Sequence, residues 1–404
     1  GGIFDTPTSG IWQTVWIEPV KEAFIEALQI TPDVDAGEVK LLVTPHGVVR
    51  RTPIVATITP PGGGEAIHAE GFTGRPLSIK VPDAKLWTPD APVLYDLRVQ
   101  LKVNNEVSDE VASYFGMRKI AIGKDEKGVN RLMLNNKPIF MAGPLDQGFW
   151  PDGIYTAPTD AALKFDIEME KKYGFNMVRK HVKIEPERWY YWCDKLGLLV
   201  WQDMPSGPSQ QGAGEKMPQS SKENFEHELD RMIAGRGNHP SIVMWVVFNE
   251  GWGQFDTPRL TEHVKKMDPT RLVDNASGWT DKKVGDVVDM HHYADPLMPK
   301  LEESRAAVLG EFGGLGLAVE GHMWNAKTFQ YRKTNDQKQL TDQYVKMFED
   351  AVKLKENGLC AVVYTQTTDV EGEINGLMTY DRAVIKVDPE RARTAARALI
   401  GEAK

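Results

Sequence analysis

The sequence predicts a β-sandwich of immunoglobulin type over residues 20–118, followed by a (β/α)₈ barrel over residues 119–404. Three observations carry this. The first hundred residues alternate in short β-type runs cut by Pro and Gly. From about residue 122 the period changes to alternating apolar strands and amphipathic helices, the signature of a parallel α/β fold. Two of the apolar runs end on glutamates, Glu250 and Glu311.

The sandwich strands include Val39–Thr44, Ile54–Ile58, Leu77–Val81 and Val93–Val99, with Pro60-Pro61-Gly62-Gly63-Gly64 as a turn cluster. Two cysteines, Cys193 and Cys360, both inside barrel elements, exclude a disulfide framework. Trp87 is expected to pack at a strand edge, and the sandwich to act as a spacer and brace. In the barrel, Pro138–Ala142 reads as strand one, Phe175–Arg179 as strand two and Leu198–Trp201 as strand three. The run beginning at Ser241 reads as strand four and leads to Glu250. Arg271–Asp274, Val287–His291, the run ending at Glu311 and Leu359–Tyr364 follow as strands five to eight. Thr159 is expected to cap a helix that ends at Gly174. A second helix runs from Pro186 to Leu196 and stops at Gly197. A third, 221–234, starts on a Ser-x-x-Glu box and buries Phe225, Leu229, Met232 and Ile233. Helices 335–356 and Asp388 onward complete the set. The segment 8–19 reads as a strand already in progress.

Both glutamate runs are short and β-branched, as fully buried parallel strands are. Burying a carboxylate where such a strand ends is costly without a use for it, and that end of a barrel is where chemistry sits. Two converging carboxylates suggest glycoside hydrolysis by an acid/base and a nucleophile. The 11 tryptophans fit a sugar site, because indoles pack on the apolar faces of sugar rings, and fit an aromatic core equally well. Net charge is -9 with both signs scattered and no basic stripe, so nucleic acid is not an expected partner. No apolar run has the length of a membrane span. No signal peptide is visible, so compartment stays open.

The motifs together resemble glycoside hydrolase family 2, in the clan whose acid/base and nucleophile lie at the ends of strands four and seven. The resemblance rests on Ser9–Trp16, Phe115-Gly116-Met117-Arg118, Leu134–Ile139, Gly174–His181, and Asn238-His239-Pro240-Ser241 leading into Asn249-Glu250. It implies that residues 1–19 are the end of a jelly-roll domain whose remainder is missing, and that this domain is a partner of the chain. It implies Glu250 as acid/base, Glu311 as nucleophile, Arg179 as counter-charge to the nucleophile, and Asn249 on the sugar 2-hydroxyl. It suggests ring-hydroxyl contacts for His181 and His291 and a hydrogen bond from Tyr293 to the nucleophile. Trp252 and Trp279 are expected to wall the sugar, and Asp146-Gln147 to reach the site. Gln366 and Asp369 follow strand eight, where relatives place substrate-sorting residues.

Asp203 falls where some β-galactosidases of the family hold Mg²⁺. No second acidic cluster accompanies it, so no metal and no cofactor are expected. Strand eight leads into Tyr364-Thr365-Gln366 rather than the tryptophan common in relatives. The Asn-x-Lys element of glucuronidases is not at its usual place, and Asn325-Ala326-Lys327 lies soon after the nucleophile instead. The expectation is therefore a retaining exo-β-glycosidase, on β-galactosides first, with β-mannosides, β-glucuronides and arabinosides as alternatives. A carbohydrate-binding relative that had lost catalysis would be expected to lack one glutamate, and both are present; an inactive fragment is the third reading. Relatives often form dimers or tetramers, so homo-oligomerisation is an expectation that the resemblance brings.

Overall fold

The structure, a computed structural model, describes residues 5–49, 51–206 and 214–401. Two antiparallel sheets form the sandwich. Phe24–Asp33, Glu38–His46 and Leu77–Lys80 make one sheet; Ile67–Phe72, Pro53–Thr59, Tyr95–Val103 and Glu106–Phe115 make the other. Alternation decides which side chains meet between them. Val39, Leu41 and Val43 face Ile54, Ala56, Ile58, Leu97, Val99 and Leu101 across a dry core.

Pro138 does not open the barrel. It pairs back on Met133 in a small antiparallel sheet of Ile120–Lys124, Asn130–Leu134 and Lys137–Pro138. The first barrel strand is Met141–Asp146. Met177–Lys180, Leu199–Asp203, Ile242–Val246, Leu272–Asp274, Val287–His292, Ala306–Gly313 and Leu359–Thr365 follow. They are hydrogen-bonded in parallel in the order five, four, three, two, one, eight, seven, six. The fifth and sixth strands form no ladder; they are joined through the residues just before strand six, by the bridge between Asp274 and Gly285 and the Asp286 N–H on the Val273 carbonyl. Large side chains fill the barrel, among them Met141, Met177, Trp201, Met244 and Val308. Helices ring it, although none lies between strands five and six or between six and seven.

Local chemistry explains the helix ends. Thr159 caps Asp160–Lys172 by accepting from the Ala162 N–H, Asp336 caps Gln337–Glu356, and Asp388 caps Pro389–Ile400. Gly197 stops Glu187–Leu196 in the left-handed conformation. The Ser-x-x-Glu box goes unused, because Gln219–Arg236 begins earlier, directly after Pro218 and without a side-chain cap. Its expected apolar face is buried. Residues 5–19 form no strand and run along the barrel instead, with Gln13 donating to the Ile184 carbonyl and Thr156 to that of Trp12. No helix among the described residues is long and apolar enough to cross a membrane.

The joint between sandwich and barrel is polar and closely fitted. Asn238 zips onto the sandwich edge, accepting from the Ile30 N–H at 2.9 Å and donating to the Leu28 carbonyl at 2.8 Å. Arg118 reaches the other way and donates to the carbonyls of Pro240, Thr270 and Ile242. Trp87 packs at this joint rather than at a free strand edge, fully buried, with its indole N–H on the Asp194 carbonyl. Gly116 has no room for a side chain here, since a Cβ would stand 2.9 Å from Pro240 and 3.0 Å from Trp87.

The Asp194 carboxylate gathers the Ser241 N–H, the Tyr114 hydroxyl and His239 Nδ1, and His239 Nε2 meets Glu187 at 2.7 Å. Burial lowers the proton affinity of His239, but Asp194 and Glu187 outweigh it and push its pKa from 6.5 up to about 9. A pKa raised in the folded state stabilises the fold fully below the unfolded value, and that stabilisation is lost as pH rises through the folded value. The melting temperature is therefore expected to fall between pH 6.5 and about 9, and more steeply than in His239→Gln. Parallel pH profiles for the two proteins would show that this imidazolium does not brace the joint.

Candidate active site

Strands one to four and six to eight, or the residues just beyond them, open at their C-terminal ends on a cavity of about 350 Å³. Gln147, His181, Asn249, Glu250, Trp252, Tyr293, Glu311, Tyr331, Thr365 and Glu373 are among its walls. Glu311 lies within strand seven, where both neighbouring ladders slip. Strand six steps from the pair Met290–Leu309 to His291–Glu311, and strand eight from Val362–Leu309 to Tyr364–Phe312. This bulge at Gly310-Glu311 re-aims the glutamate. Gly310 makes it feasible: its N–H donates to Asp289 at 2.6 Å, and a Cβ there would stand 2.1 Å from the same carboxylate.

Glu250 sits four residues past the end of strand four, with a left-handed backbone, φ 53°. Its own N–H donates to the Ser277 carbonyl, and the Ser277 N–H donates to that of Phe248. The ladder that ends at Val246 thus resumes against residue 277 and fixes Glu250.

Arg179 holds the floor of the site. Nε and Nη2 grip Asp203 at 3.0 and 2.9 Å. Nη1 reaches Glu311 Oε1 at 3.2 Å, and Nη2 reaches Asn249 Oδ1 at 2.9 Å. With its oxygen committed, Asn249 has its NH₂ to offer a ligand. Burial works against the charge on Arg179, but Asp203 and Glu311 more than restore it. Burial likewise works against the Glu311 carboxylate, yet His291, His181 and Arg179 hold its pKa below the ordinary 4.5. Tyr293 donates to Glu311 Oε2 at 2.5 Å, with its oxygen 3.5 Å from Glu250 Oε1. Burial and the two glutamates raise this phenol far above its usual pKa, so it remains a donor. Tyr331 stacks flat on the Tyr293 ring, with centroids 3.6 Å apart.

Glu250, His291 and Glu311 each bring one potential ligand atom to within 4.8 Å of the others. The Arg179 guanidinium in contact with Glu311 disfavours a metal cation at this spot. The Asp203 oxygens are taken up by Arg179 and His181.

Several sequence expectations need correction. His291 has no part in the cavity wall. It stands behind Glu250, with Nδ1 2.7 Å from Glu250 Oε1 and Nε2 2.8 Å from Ser277 Oγ. Ser277 in turn donates to Asp289. His181 does line the cavity and anchors on Asp203 at 2.7 Å. Asp146 points away, into a buried network with Lys180, and only its neighbour Gln147 reaches the cavity. Asp369 is spent on Lys386 at 2.5 Å beneath the loop after strand eight. Gln366 lies one layer back and accepts from Gln147 at 2.7 Å. Trp252 lines the cavity, whereas Trp279 does not and stands 56% exposed, edge-on to His291. Sequence reasoning missed Ser277, Asp289, Tyr331 and Glu373. Only Glu373 left a signal, its place in the loop after strand eight.

Two profiles match the chain, "Glycosyl hydrolases family 2" over residues 23–118 and "Glycosyl hydrolases family 2, TIM barrel domain" over 127–387. A putative beta-glucuronidase of Formosa agariphila is 29% identical over 227 residues, 55% of this chain and 21% of the relative. A beta-galactosidase of Leuconostoc mesenteroides is 27% identical over 231 residues, 56% of this chain and 22% of the relative. The chain thus spans less than a quarter of the length of these two relatives. The crystal structure of an FMN-binding beta-glucuronidase from Facaelibacterium prausnitzii L2-6 superposes with a TM-score of 0.74 at 20% identity, over 93% of this chain and 63% of that one. That likeness concerns the fold, and the profiles settle the lineage: the chain belongs to glycosyl hydrolases family 2.

Proposed function

We propose that the chain is the catalytic portion of a retaining exo-β-glycosidase acting on terminal non-reducing sugars, β-galactosides foremost. The observation that carries this reading is the approach of Glu250 and Glu311 oxygens to within 4.8 Å at the ends of strands four and seven. Retaining enzymes hold their carboxyl groups about 5–5.5 Å apart, whereas inverting enzymes leave room for a water between them. The surroundings divide the labour. Glu311 is kept ionised by Arg179, His181 and His291, as a nucleophile requires. Glu250 shares a short hydrogen bond with His291, and one proton on that pair is available to a leaving group.

In the first step Glu250 delivers a proton to the glycosidic oxygen while Glu311 attacks the anomeric carbon; the bond to the leaving group breaks as the glycosyl ester forms. In the second, Glu250 takes a proton from water, whose oxygen attacks the same carbon and releases Glu311 with configuration retained. Asn249 offers its amide N–H groups to the 2-hydroxyl, and Tyr293 steadies Glu311 between steps. Relatives named beta-galactosidase support the choice of sugar. The end of a jelly roll in residues 1–19, and the rest of that domain as a partner, remain part of this reading.

Hydrolysis of aryl β-galactosides is expected to fall by a factor on the order of 10⁴ in Glu311→Ala. Glu250→Ala should still cleave dinitrophenyl glycosides, whose leaving group needs no proton, while losing substrates with poor leaving groups. Equal loss on both substrate types would remove Glu250 from the acid role. The acid limb of kcat/KM is expected to lie below pH 4.5, where Glu311 gains its proton. Tyr293→Phe removes a hydrogen bond to that carboxylate and should move the limb upward; an unmoved or lowered limb would argue against the assignment.

A further inference from the structure

A third glutamate faces the cavity. Glu373 stands in the loop after strand eight and is only 2% exposed, yet it lines the same space as Glu250 and Glu311. It terminates a chain of side-chain amides that runs in one direction. Gln147 Nε2 donates to Gln366 Oε1 at 2.7 Å, and Gln366 Nε2 donates to Asn375 Oδ1 at 3.0 Å. Asn375 Nδ2 then donates to Glu373 Oε1 at 3.0 Å. Gln366 and Asn375 are wholly buried, and their backbones are tied by the Gln366 N–H on the Asn375 carbonyl. Both ends of the chain, Gln147 and Glu373, open on the cavity.

Burying such a row of polar groups is costly unless each is satisfied. Amide donors, Asn375 foremost with Gln366 beside it, are thin compensation for a buried carboxyl, and no lysine or arginine bonds it among the described residues. Burial, with the charge of Glu311 adding to it, pushes the Glu373 pKa up to about 7. What a carboxyl facing a sugar-sized cavity can gain is hydrogen bonds from ligand hydroxyls. The cavity's charge points the same way. Among the described residues that line it there is no lysine or arginine, while Asp5, Glu250, Glu311 and Glu373 all do. Arg179 lies behind the wall and is committed to Asp203, Glu311 and Asn249.

We propose that Glu373 sorts sugars at this site: its carboxyl binds hydroxyls of a neutral pyranose away from the anomeric carbon and disfavours uronic acids, whose carboxylate would meet a wall rich in carboxyls with no lysine or arginine among its described residues. The proposal rests on the reading of Glu250 and Glu311 as the reacting pair, and it separates this chain from relatives named for uronides.

The test compares wild type, Glu373→Gln and Glu311→Ala on aryl β-galactoside, its 3-, 4- and 6-deoxy analogues, and aryl β-galacturonide. Wild type is expected to prefer the galactoside over the galacturonide by at least about 100-fold. Glu373→Gln should lose roughly 10- to 100-fold in kcat/KM on the galactoside. It should lose far less on the deoxy analogue that lacks the hydroxyl read by Glu373, and it should narrow the gap to the galacturonide. An equal loss on every deoxy analogue marks a merely structural residue and overturns the proposal, as does a variant indistinguishable from wild type. Thermal shift of wild type with free galactose and with galacturonate needs neither catalysis nor a variant. Galactose stabilising an inactive chain would sink the catalytic reading and support this one. Galacturonate stabilising it as well as galactose does, or neither sugar doing so, would overturn this one.

Discussion

The guanidinium of Arg179 is the interaction on which the site depends. It is fully buried, and a charge in that position is tolerable only because carboxylates and carbonyls surround it. Asp203 neutralises it from strand three, Glu311 from strand seven, and Asn249 from beyond strand four. One side chain on strand two therefore sets the spacing of three others around the barrel mouth. Breaking a buried pair of this kind typically costs about 3–5 kcal/mol. The same contact joins His291 and His181 in holding the Glu311 pKa down, so the electrostatics that organise the barrel mouth also keep ionised the carboxylate proposed as nucleophile.

The sandwich matters through the joint. The segment Asn238-His239-Pro240-Ser241 faces it and runs directly into strand four, which leads to Glu250. Arg118 from the sandwich side holds the carbonyls of Pro240 and Ile242. The sandwich side thus grips the base of the strand that leads to Glu250.

Much of this was legible in the residues. The alternation of Val39, Leu41 and Val43 declares a two-faced strand, and the runs before Glu250 and Glu311 declare buried ones. Thr159 and Asp388 announce their helices through side-chain oxygens placed to cap them. Closeness to a strand end, by contrast, does not say where a side chain points. Asp146 and Asp369 looked like site residues, but Lys180 and Lys386 pull them into the interior. The pairing of Asp369 with a lysine 17 residues on, across an irregular loop, has no periodicity to reveal it. His291 is near the chemistry but hidden behind it, because Ser277 and Asp289 draw its far nitrogen inward. Ser277 looks like an ordinary turn residue, and Asp289, although it stands inside strand six, carries no local sign of which partner it meets.

Gly310 leaves no slack beside Glu311. The position beside Glu311 admits no methyl group, and the obstacle is a carboxylate already bonded to the glycine's own N–H. Any substitution there collides at its first added atom, and Asp289 has to move to admit it. A side chain at this position therefore has to displace Asp289, and with it the carboxylate that Ser277 and the Gly310 N–H hold beside His291 and Glu311. The disturbance would reach the hydrogen bonds behind Glu250 as well as Glu311, so one methyl group at residue 310 touches the surroundings of both carboxyls.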